Sequence, residues 1–567
     1  MKAKFACCAM LLSVLLIFAS AAAVVAEPNP GSDASVPAGP TAPDKPSAGQ
    51  PPADPEDPVM GRIETSFEKG VTLQDCIQSA LRNNLGLRSA SLLPKIAAAA
   101  VIEEKASFDT VYSATYGFRN TTFPSATVLD GAAIFRSKSN QVETKLTQKL
   151  ITGGTMEFGF DTTHEKSNSA FAIVNPRSDS SVHFGITQRL LRGFGPQYNR
   201  SLIDKAENQR QIEDLRYDIT VLELVYRVEA AYWNYVGQMY DLKVREETIK
   251  VAEQTVSDVE KRVQARKMLE VDLLEAQEDL ANQRLARLIT GKRLAHTREA
   301  LVRLIEPYSD SIHWTTDVYV PSLLVQRRYD TNLTRNMQTA MRCRPELQQA
   351  ALVIDTMRIN ERASRNEMLP TLNIGYELRW HGLGYQTIES VRDISIDRYL
   401  TNTANAYLEY PLFNRAAKSR FTQARYSLER ALVETDSLRM DIMVDVRSAI
   451  RNVEVLKSAV VVAQRAFELA SRKYDAEAQR LEHGQVTLKD FLDFRQQKVR
   501  AEVLRDRAKI DYELAINQLE HATATSLTKY DIEIPRGQVP DKEGSAARAE
   551  ARPIAPERNT DLFDGEK

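Results

Sequence analysis

The chain has 567 residues, with 74 Lys and Arg against 76 Asp and Glu, for a net charge of −2. That balance removes the electrostatic argument for nucleic acid as a partner. The length allows three or four ordinary domains, so a single elongated architecture has to be argued from pattern.

Lys2 and Lys4 precede an apolar run from Phe5 to Val25 that exits through Val24-Val25-Ala26 before Glu27. This has the form of a secretory signal peptide, residues 1–26, cleaved after Ala26. Cys7 and Cys8 lie inside it, which leaves the mature chain Cys76 and Cys343, too few for a disulfide framework and expected as buried free thiols. Residues 27–66 are rich in Pro, Ala, Ser and Gly and are expected as a disordered linker. Residues 536–567 are expected as a matching disordered tail.

The first structured unit is expected over 67–305. Thr72 is placed to cap a helix running through LQDCIQSALRNNLGLRSASLLPKIAAAAVIEEKA. Strands follow. In Phe108–Phe118 the even positions are bulky, apart from Thr110 and Ala114, and the odd ones small or polar apart from Val111; Ser181–Leu190 alternates in the same way. Between them Gln141–Ile151 and Thr155–Asp161 also alternate, joined by Thr152-Gly153-Gly154, which predicts an additional hairpin. That hairpin either adds two strands to the same wall or folds over one rim. A proline-free run from Asn199 to Ala265 then spans about 100 Å as helix, and Lys267–Ile305 returns alongside it.

After an inter-repeat connection over 306–331, the design recurs in 332–535. Asn332-Leu333-Thr334 opens a helix whose Ala340-Met341-Arg342 aligns with Ala80-Leu81-Arg82 at a constant shift of 260 residues. Leu372–Trp380 and Ala406–Leu412 alternate as strands, and Asn414 opens a second long helical run that breaks near Gly484 and resumes at Leu488. A chain self-similar on this scale is a tandem duplication. In each repeat the two shorter helices together match the long one, at about 105 Å in all, which suits a helical wall of uniform height. Trp233 and Tyr235 are expected to pack between helices, whereas Trp380 and Tyr376 suit an aromatic belt at a membrane surface.

Period-two strands of about ten residues, one face apolar and the other carrying charge, have the pattern of transmembrane β-strands. Four strands, or six with the extra hairpin, are too few to close a membrane barrel, and an open sheet edge cannot face lipid. Several chains must therefore share one barrel. No metal or cofactor site is expected: the seven histidines (164, 183, 296, 313, 381, 483 and 521) are scattered. Ile289-Thr290-Gly291-Lys292-Arg293 lacks the upstream glycine and the hydroxyl residue of a phosphate-binding loop.

The duplicated helix opening (VTLQDCIQSALRNNLGLRSA and NLTRNMQTAMRCRPELQQA), Leu369-Pro370 before a strand, Tyr410–Lys418 (YPLFNRAAK) where strand returns to helix, and Gly484–Asp493 resemble the TolC-like outer-membrane efflux protein family. The resemblance covers about residues 68–530. It implies a mainly α fold with membrane β-strands, a homotrimer sharing a twelve-stranded barrel in outer-membrane lipid, and a periplasmic α-barrel of about 100 Å. It also implies a non-enzymatic exit duct of a tripartite efflux or type I secretion system, docked on a periplasmic adaptor (membrane fusion) protein and, through it, on an inner-membrane transporter.

Within that resemblance Asp490 and Asp493 are candidates for a periplasmic gate ring, where three copies of each carboxylate would favour cations. Both also sit early in a helix, where the N-terminal dipole welcomes acids. Asp272 and Glu275 stand at the matching places in the first repeat. Candidate tip and adaptor contacts are Arg266, Lys267, Asp272, His483 and Gly484. Gly484 suits a tight helix-to-helix turn, whereas Arg266 takes its place in the first repeat, so that tip is expected to be wider or to turn differently. Val486 stands two places beyond Gly484, which leaves no basic residue there for a latch. The competing reading is a periplasmic coiled-coil scaffold or adaptor with a soluble β-domain.

Overall fold

The computed structural model describes residues 72–126, 131–305, 329–394, 398–483, 485–530 and 532. The expected signal peptide, linker and tail, most of the 306–331 connection, and Gly484 lie outside those residues.

Thr72 caps α1 (Leu73–Asn83) as expected. The Asp75 N–H donates to its hydroxyl at 3.3 Å, and the Thr72 N–H donates to the Asp75 carboxylate at 3.0 Å. The Thr72 hydroxyl also donates to that carboxylate at 2.6 Å, and this bond, with the one from the Thr72 N–H, holds the Asp75 carboxyl below the usual carboxylate range. The helix does not run on. Asn84 adopts an extended backbone and caps α2 (Leu85–Ala90), its side-chain oxygen accepting from the Leu87 N–H at 3.0 Å; α3 (Leu92–Ala106) follows. In the second repeat Asn332 caps α7 (Leu333–Cys343), and the chain breaks at Arg344 because Pro345 opens α8 (Pro345–Asn366). Thr72 and Asn332, Asn83 and Cys343, and Ala106 and Asn366 each stand 260 apart, so the internal repeat is carried down to individual helix ends.

A single turn, α4 (Pro196–Asn199), precedes the first of the two long helices, which are α5 (Ser201–Gln264, 64 residues) and α10 (Arg415–Glu482, 68 residues). They span about 96 and 102 Å. The returning helices are α6 (Glu270–Ile305) and α11 (Leu488–Ala522). Both α3 and α6 line one side of α5, while α8 and α11 fill the space between α5 and α10. In cross-section the helices therefore form a single layer, with α3 above α6 at one edge and α10 at the other. Inside it, Val225, Val228, Tyr232, Trp233 and Tyr235 of α5 pack with Cys76, Ile77, Leu301 and Ile510. Burial pushes the Cys76 thiol up to about 12, so it is neutral and inert. Cys343, in contrast to the expectation, is exposed; both cysteines are free.

The two edges are unfinished. Along α10 the buried residues Ala431, Ile442, Val446, Ala449, Val453 and Val460 mark one face. Val433, Met440, Val444, Val455, Val462 and Leu469 are exposed and, at 100° per residue, form a second apolar stripe on the opposite face. On α6, exposed Val271, Leu274, Leu285, Leu288 and Ile289 likewise oppose buried Ala276, Leu294 and Leu301. The apolar stretch Leu85–Ala106, long enough by composition to cross a membrane, lies along this same edge and exposes Leu92, Ile96 and Ile102.

The strands are β1 (Val111–Pro124), β2 (Ile134–Lys149), β3 (Thr155–Ser167), β4 (Arg177–Arg189), β5 (Thr371–Gly384) and β6 (Leu400–Glu409). They form one antiparallel sheet in sequence order. The additional hairpin thus belongs to the sheet. Strand bounds shift slightly from those expected: β6 ends at Glu409, leaving Tyr410 and Leu412 in the turn into α10. One face carries an apolar row across five strands, Tyr112, Leu146, Phe158, Phe184 and Leu378 being successive register partners. The other face carries Lys145, Gly159, His183, Arg379 and Thr401 in register. On that polar face Asp161 accepts from Arg379 at 2.9 Å and lies 3.1 Å from the His183 ring, tying β3 to β4 and β5. Gly159 has no side chain because the His183 ring occupies the space: a Cβ there would stand 2.3 Å from it.

The short helix α9 (Thr387–Asp393) folds over the outward face at the far end of β4 and β5, with Ser390 Oγ 2.7 Å from Ser180 Oγ. Elsewhere among the described residues no element covers the apolar face. A soluble β-domain would bury that face, and this sheet leaves Tyr112, Leu146, Phe158 and Tyr376 more than 40% exposed.

Candidate functional site

The two helical hairpins end side by side, far from the sheet. Val259 of α5, Ala276 of α6, and Leu488 and Phe491 of α11 form one small apolar core there, with Tyr474 packed on Phe491 at 5.4 Å between ring centres. The tips of both repeats are therefore joined within one chain.

Each turn is a helix C-cap with reciprocal bonds. At the end of α5, the Arg266 N–H donates to Val263 O at 2.9 Å and the Lys267 N–H to Arg262 O at 2.8 Å, with Arg266 in the left-handed region at φ 53°. That is a Schellman cap, the geometry for which glycine is preferred. At the end of α10, His483 is the C-cap, and the Gln485 N–H reaches Arg480 O at 2.9 Å, the same six-residue closure. The first tip thus closes by the same bond as the second, contrary to the expectation drawn from Arg266. It does so with a side chain where φ is positive, which costs about 1 kcal/mol.

The next helices begin alike. Asp490 stands three residues after the cap Thr487: its N–H donates to the Thr487 hydroxyl at 3.2 Å, and that hydroxyl donates back to its carboxylate at 2.7 Å. Asp272 accepts from the Leu269 N–H at 2.9 Å. At the first tip the acid itself meets a helix-start donor, whereas at the second the Thr487 hydroxyl meets it and Asp490 accepts from that hydroxyl. On α11 the tip core takes Leu488, Phe491 and Arg495, while Asp490 and Asp493 are exposed on the opposite face, about 60° apart. The two carboxylates make one acidic patch per chain, directed away from the chain's own tip core.

One group at this site escaped the sequence reading. Arg495 is 4% exposed. Its guanidinium donates to the Asp279 carboxylate on α6 and to Thr255 Oγ1 on α5 at 3.3 Å. Burial pushes the guanidinium down to about 10, which still leaves it charged at neutral pH. The bond ties the second hairpin to the first just behind the tips. Nothing in the local pattern marks it: an arginine inside a charged helix is ordinarily solvated, and only the i, i+3, i+7 spacing of Leu488, Phe491 and Arg495 places it inward.

Comparison with known proteins adds the following. The family model described as outer membrane efflux protein matches residues 157–305 and 336–525, more than half of the chain. No curated protein sequence matches. Among solved structures, the chain is similar to the Campylobacter jejuni CmeC outer membrane channel at 14% identity and TM-score 0.59, over 80% of this chain and 86% of that one. It is similar to the Vibrio cholerae outer membrane protein VceC at 12% identity and TM-score 0.58, over 80% and 95%. The open state of the Neisseria gonorrhoeae MtrE outer membrane channel aligns at 16% identity and TM-score 0.58, over 81% and 90%. At these identities the structures speak for the fold.

Proposed function

This chain belongs to the outer membrane efflux protein family, and from that premise we propose that it is the exit duct of a tripartite export system, built from three copies. It lies in the outer membrane, with its helical layer in the periplasm. We assign it no chemistry of its own; its work is to enclose a path.

The observation that carries the reading is that the layer is open at both edges. The sheet ends in β1 and β6, whose outer edges meet no other strand among the described residues, and the helices end in the exposed apolar stripes of α10 and of α3 with α6. A membrane sheet cannot leave an edge in lipid. Because the two edges are different surfaces, they join head to tail, and such contacts close into a ring. The finer assignments are three copies, tips bearing Arg266, Lys267, Asp272, His483 and Gly484 docked on a periplasmic adaptor, an inner-membrane transporter behind that adaptor, and Asp490 with Asp493 ringing the entrance.

The test is to solubilise the full-length protein from outer membranes, measure the particle mass, and place photo-crosslinkers in cells at Lys267 and His483. Three chains per particle are expected, with adducts to one periplasmic protein from tip positions and none from Ile96. A monomeric particle, or adducts equal at both places, overturns the reading.

A further inference from the structure

We infer that this chain contributes six strands, not four, to the transmembrane wall, so that three copies close an eighteen-stranded barrel about as wide as the helical tunnel beneath it. The inference rests on the three-copy reading for its total and on this chain alone for its strands per subunit.

Three observations place the β2–β3 hairpin in the wall rather than on a rim. The first is register. β2 pairs with β1 through fourteen positions, from Val111 with Thr147 to Pro124 with Ile134, and β3 pairs with β4 from Thr155 with Thr187 to Glu165 with Arg177. The hairpin is interior to the sheet, not appended to an edge.

The second is the lipid face. Leu146 of β2 and Phe158 of β3 continue the outward row that runs from Tyr112 to Phe184 and Leu378, and Phe160 continues the next one, with Val182 and Trp380. A hairpin lying in water over the rim would have no reason to keep its apolar residues level with those of its neighbours. Higher up, the same outward face turns polar in step across three strands, at Asn140, His164 and Ser178. These three strands therefore leave the hydrocarbon at one height, while β1 still carries Phe118 at that level.

The third is the anchorage of the turn. Leu150 donates to Gly154 O at 2.8 Å, and the turn lies against the strand-to-helix junction: the Gly195 N–H donates to Thr152 O at 3.0 Å, and Gln188 Nε2 to the same oxygen at 3.1 Å. At Gly153, with φ at 92°, a Cβ would stand 2.2 Å from Gly193 O, so the backbones meet where only glycine fits. The added turn is fixed to the junction that carries β4 into α5.

The geometry makes the count consequential. With strands about 4.8 Å apart and tilted about 40°, twelve strands close at a backbone diameter of about 24 Å and eighteen at about 36 Å. Each chain presents four helix positions in cross-section, so three chains give twelve, which at about 9.5 Å apart close at about 36 Å. Six strands per chain therefore let the sheet continue the helical layer at nearly constant width. Six is also even, so β1 and β6 run in opposite senses and the joints between copies are antiparallel like the rest. At those joints the outward residues are complementary in size: Tyr112, Tyr116 and Phe118 on β1 face a strand whose outward positions include Ala404 and Ala406.

The test is a density map of the full-length protein in lipid nanodiscs, in which copies and strands per copy are counted separately. Three copies and eighteen wall strands are expected. Twelve wall strands with β2–β3 lying off the barrel overturn this inference and leave the duct reading standing; a copy number other than three overturns the duct assembly whatever the strands do. A second measurement needs no map. In a Cys343→Ser background, spin labels at Leu146→Cys and Phe158→Cys are expected to be accessible to oxygen and shielded from a water-soluble nickel reagent, and the label at Lys145→Cys the reverse. Water-exposed labels at 146 and 158 overturn the inference.

Discussion

Arg495 of α11 and Asp279 of α6 meet behind the tips, a charged bond between the two repeats that is almost wholly withdrawn from water. Breaking one partner of such a pair leaves the other charge buried alone, at about 3–5 kcal/mol, whereas replacing both with apolar groups is close to neutral. Arg495→Met is therefore expected to lower the hydrogen-exchange protection of tip amides in α6 and α11 by a hundredfold or more. Arg495→Met with Asp279→Leu is expected to restore most of it. Equal losses in the single and double variants would show that the pair does not hold the hairpins together.

The Arg266 position predicts a gain. Its left-handed backbone costs a side chain about 1 kcal/mol that glycine avoids, and the Lys267 N–H is bonded only while the cap is closed. Arg266→Gly is expected to slow exchange of the Lys267 amide about fivefold and to leave the middle of α5 unchanged. Faster exchange at Lys267 would mean that the arginine side chain, rather than the backbone closure, stabilises the tip.

The exposed stripe on α10 predicts an assembly defect without a folding defect. Val444 and Val455 are 64% and 60% exposed in the single chain, yet they would be buried wherever a second copy packs on this edge. A glutamate there must be desolvated at every joint, at about 3 kcal/mol or more each. Val444→Glu with Val455→Glu is expected to give a monomer by light scattering with helical content unchanged by circular dichroism. A particle of unaltered mass would move the contact between copies elsewhere.

Most of this architecture could be read from pattern because its physics is periodic. The 260-residue repeat survives to individual caps, since Thr72 and Asn332 do the same job for the same helix. The parts that could not be read are those where periodicity stops. The helix break at Asn84 has no proline to announce it; a short side chain competing for the backbone suffices. The strands run beyond the alternation that revealed them, to Pro124 and from Ile134, because above the hydrocarbon both faces meet water and no pattern is imposed. Asp490 was legible as an early-helix acid, and its capping bond agrees. Arg495 was not, because its partner lies 216 residues away.

His521 predicts an acid sensitivity. Burial between helices lowers its pKa, with Arg344 acting in the same direction, while Glu223 at 3.4 Å, Glu346 and Asp445 oppose the shift. A lowered histidine favours the fold in its neutral form. Its contribution is therefore fully present above the unfolded value of about 6.5 and is lost as pH falls through the folded value. Asp75, lowered from 3.8, acts only in stronger acid. The melting temperature is expected to drop between pH 7.5 and 5.5, and His521→Gln is expected to flatten that drop. An identical pH profile in the variant would assign the sensitivity to another group.

The acidic face of α11 separates two readings of Asp490 and Asp493. If they only start the helix, their value is local: the bonds with Thr487 and the attraction of the helix dipole, together about 1 kcal/mol. If they ring an entrance, three copies place six carboxylates around one axis, and their fields add where the passage is narrowest. Asparagine distinguishes the two, because at 490 it keeps an acceptor for Thr487 while removing the charge. Asp490→Asn with Asp493→Asn is expected to leave the melting temperature within a few degrees of the parent. In planar bilayers it is expected to weaken block by a trivalent cation added on the tip side by tenfold or more. The same substitutions at Asp272 and Glu275, which hold the matching positions in the first repeat, report whether the first hairpin shares the ring. Unchanged block in all four-site combinations would leave these acids as helix starts and nothing more, with the constriction formed by other side chains.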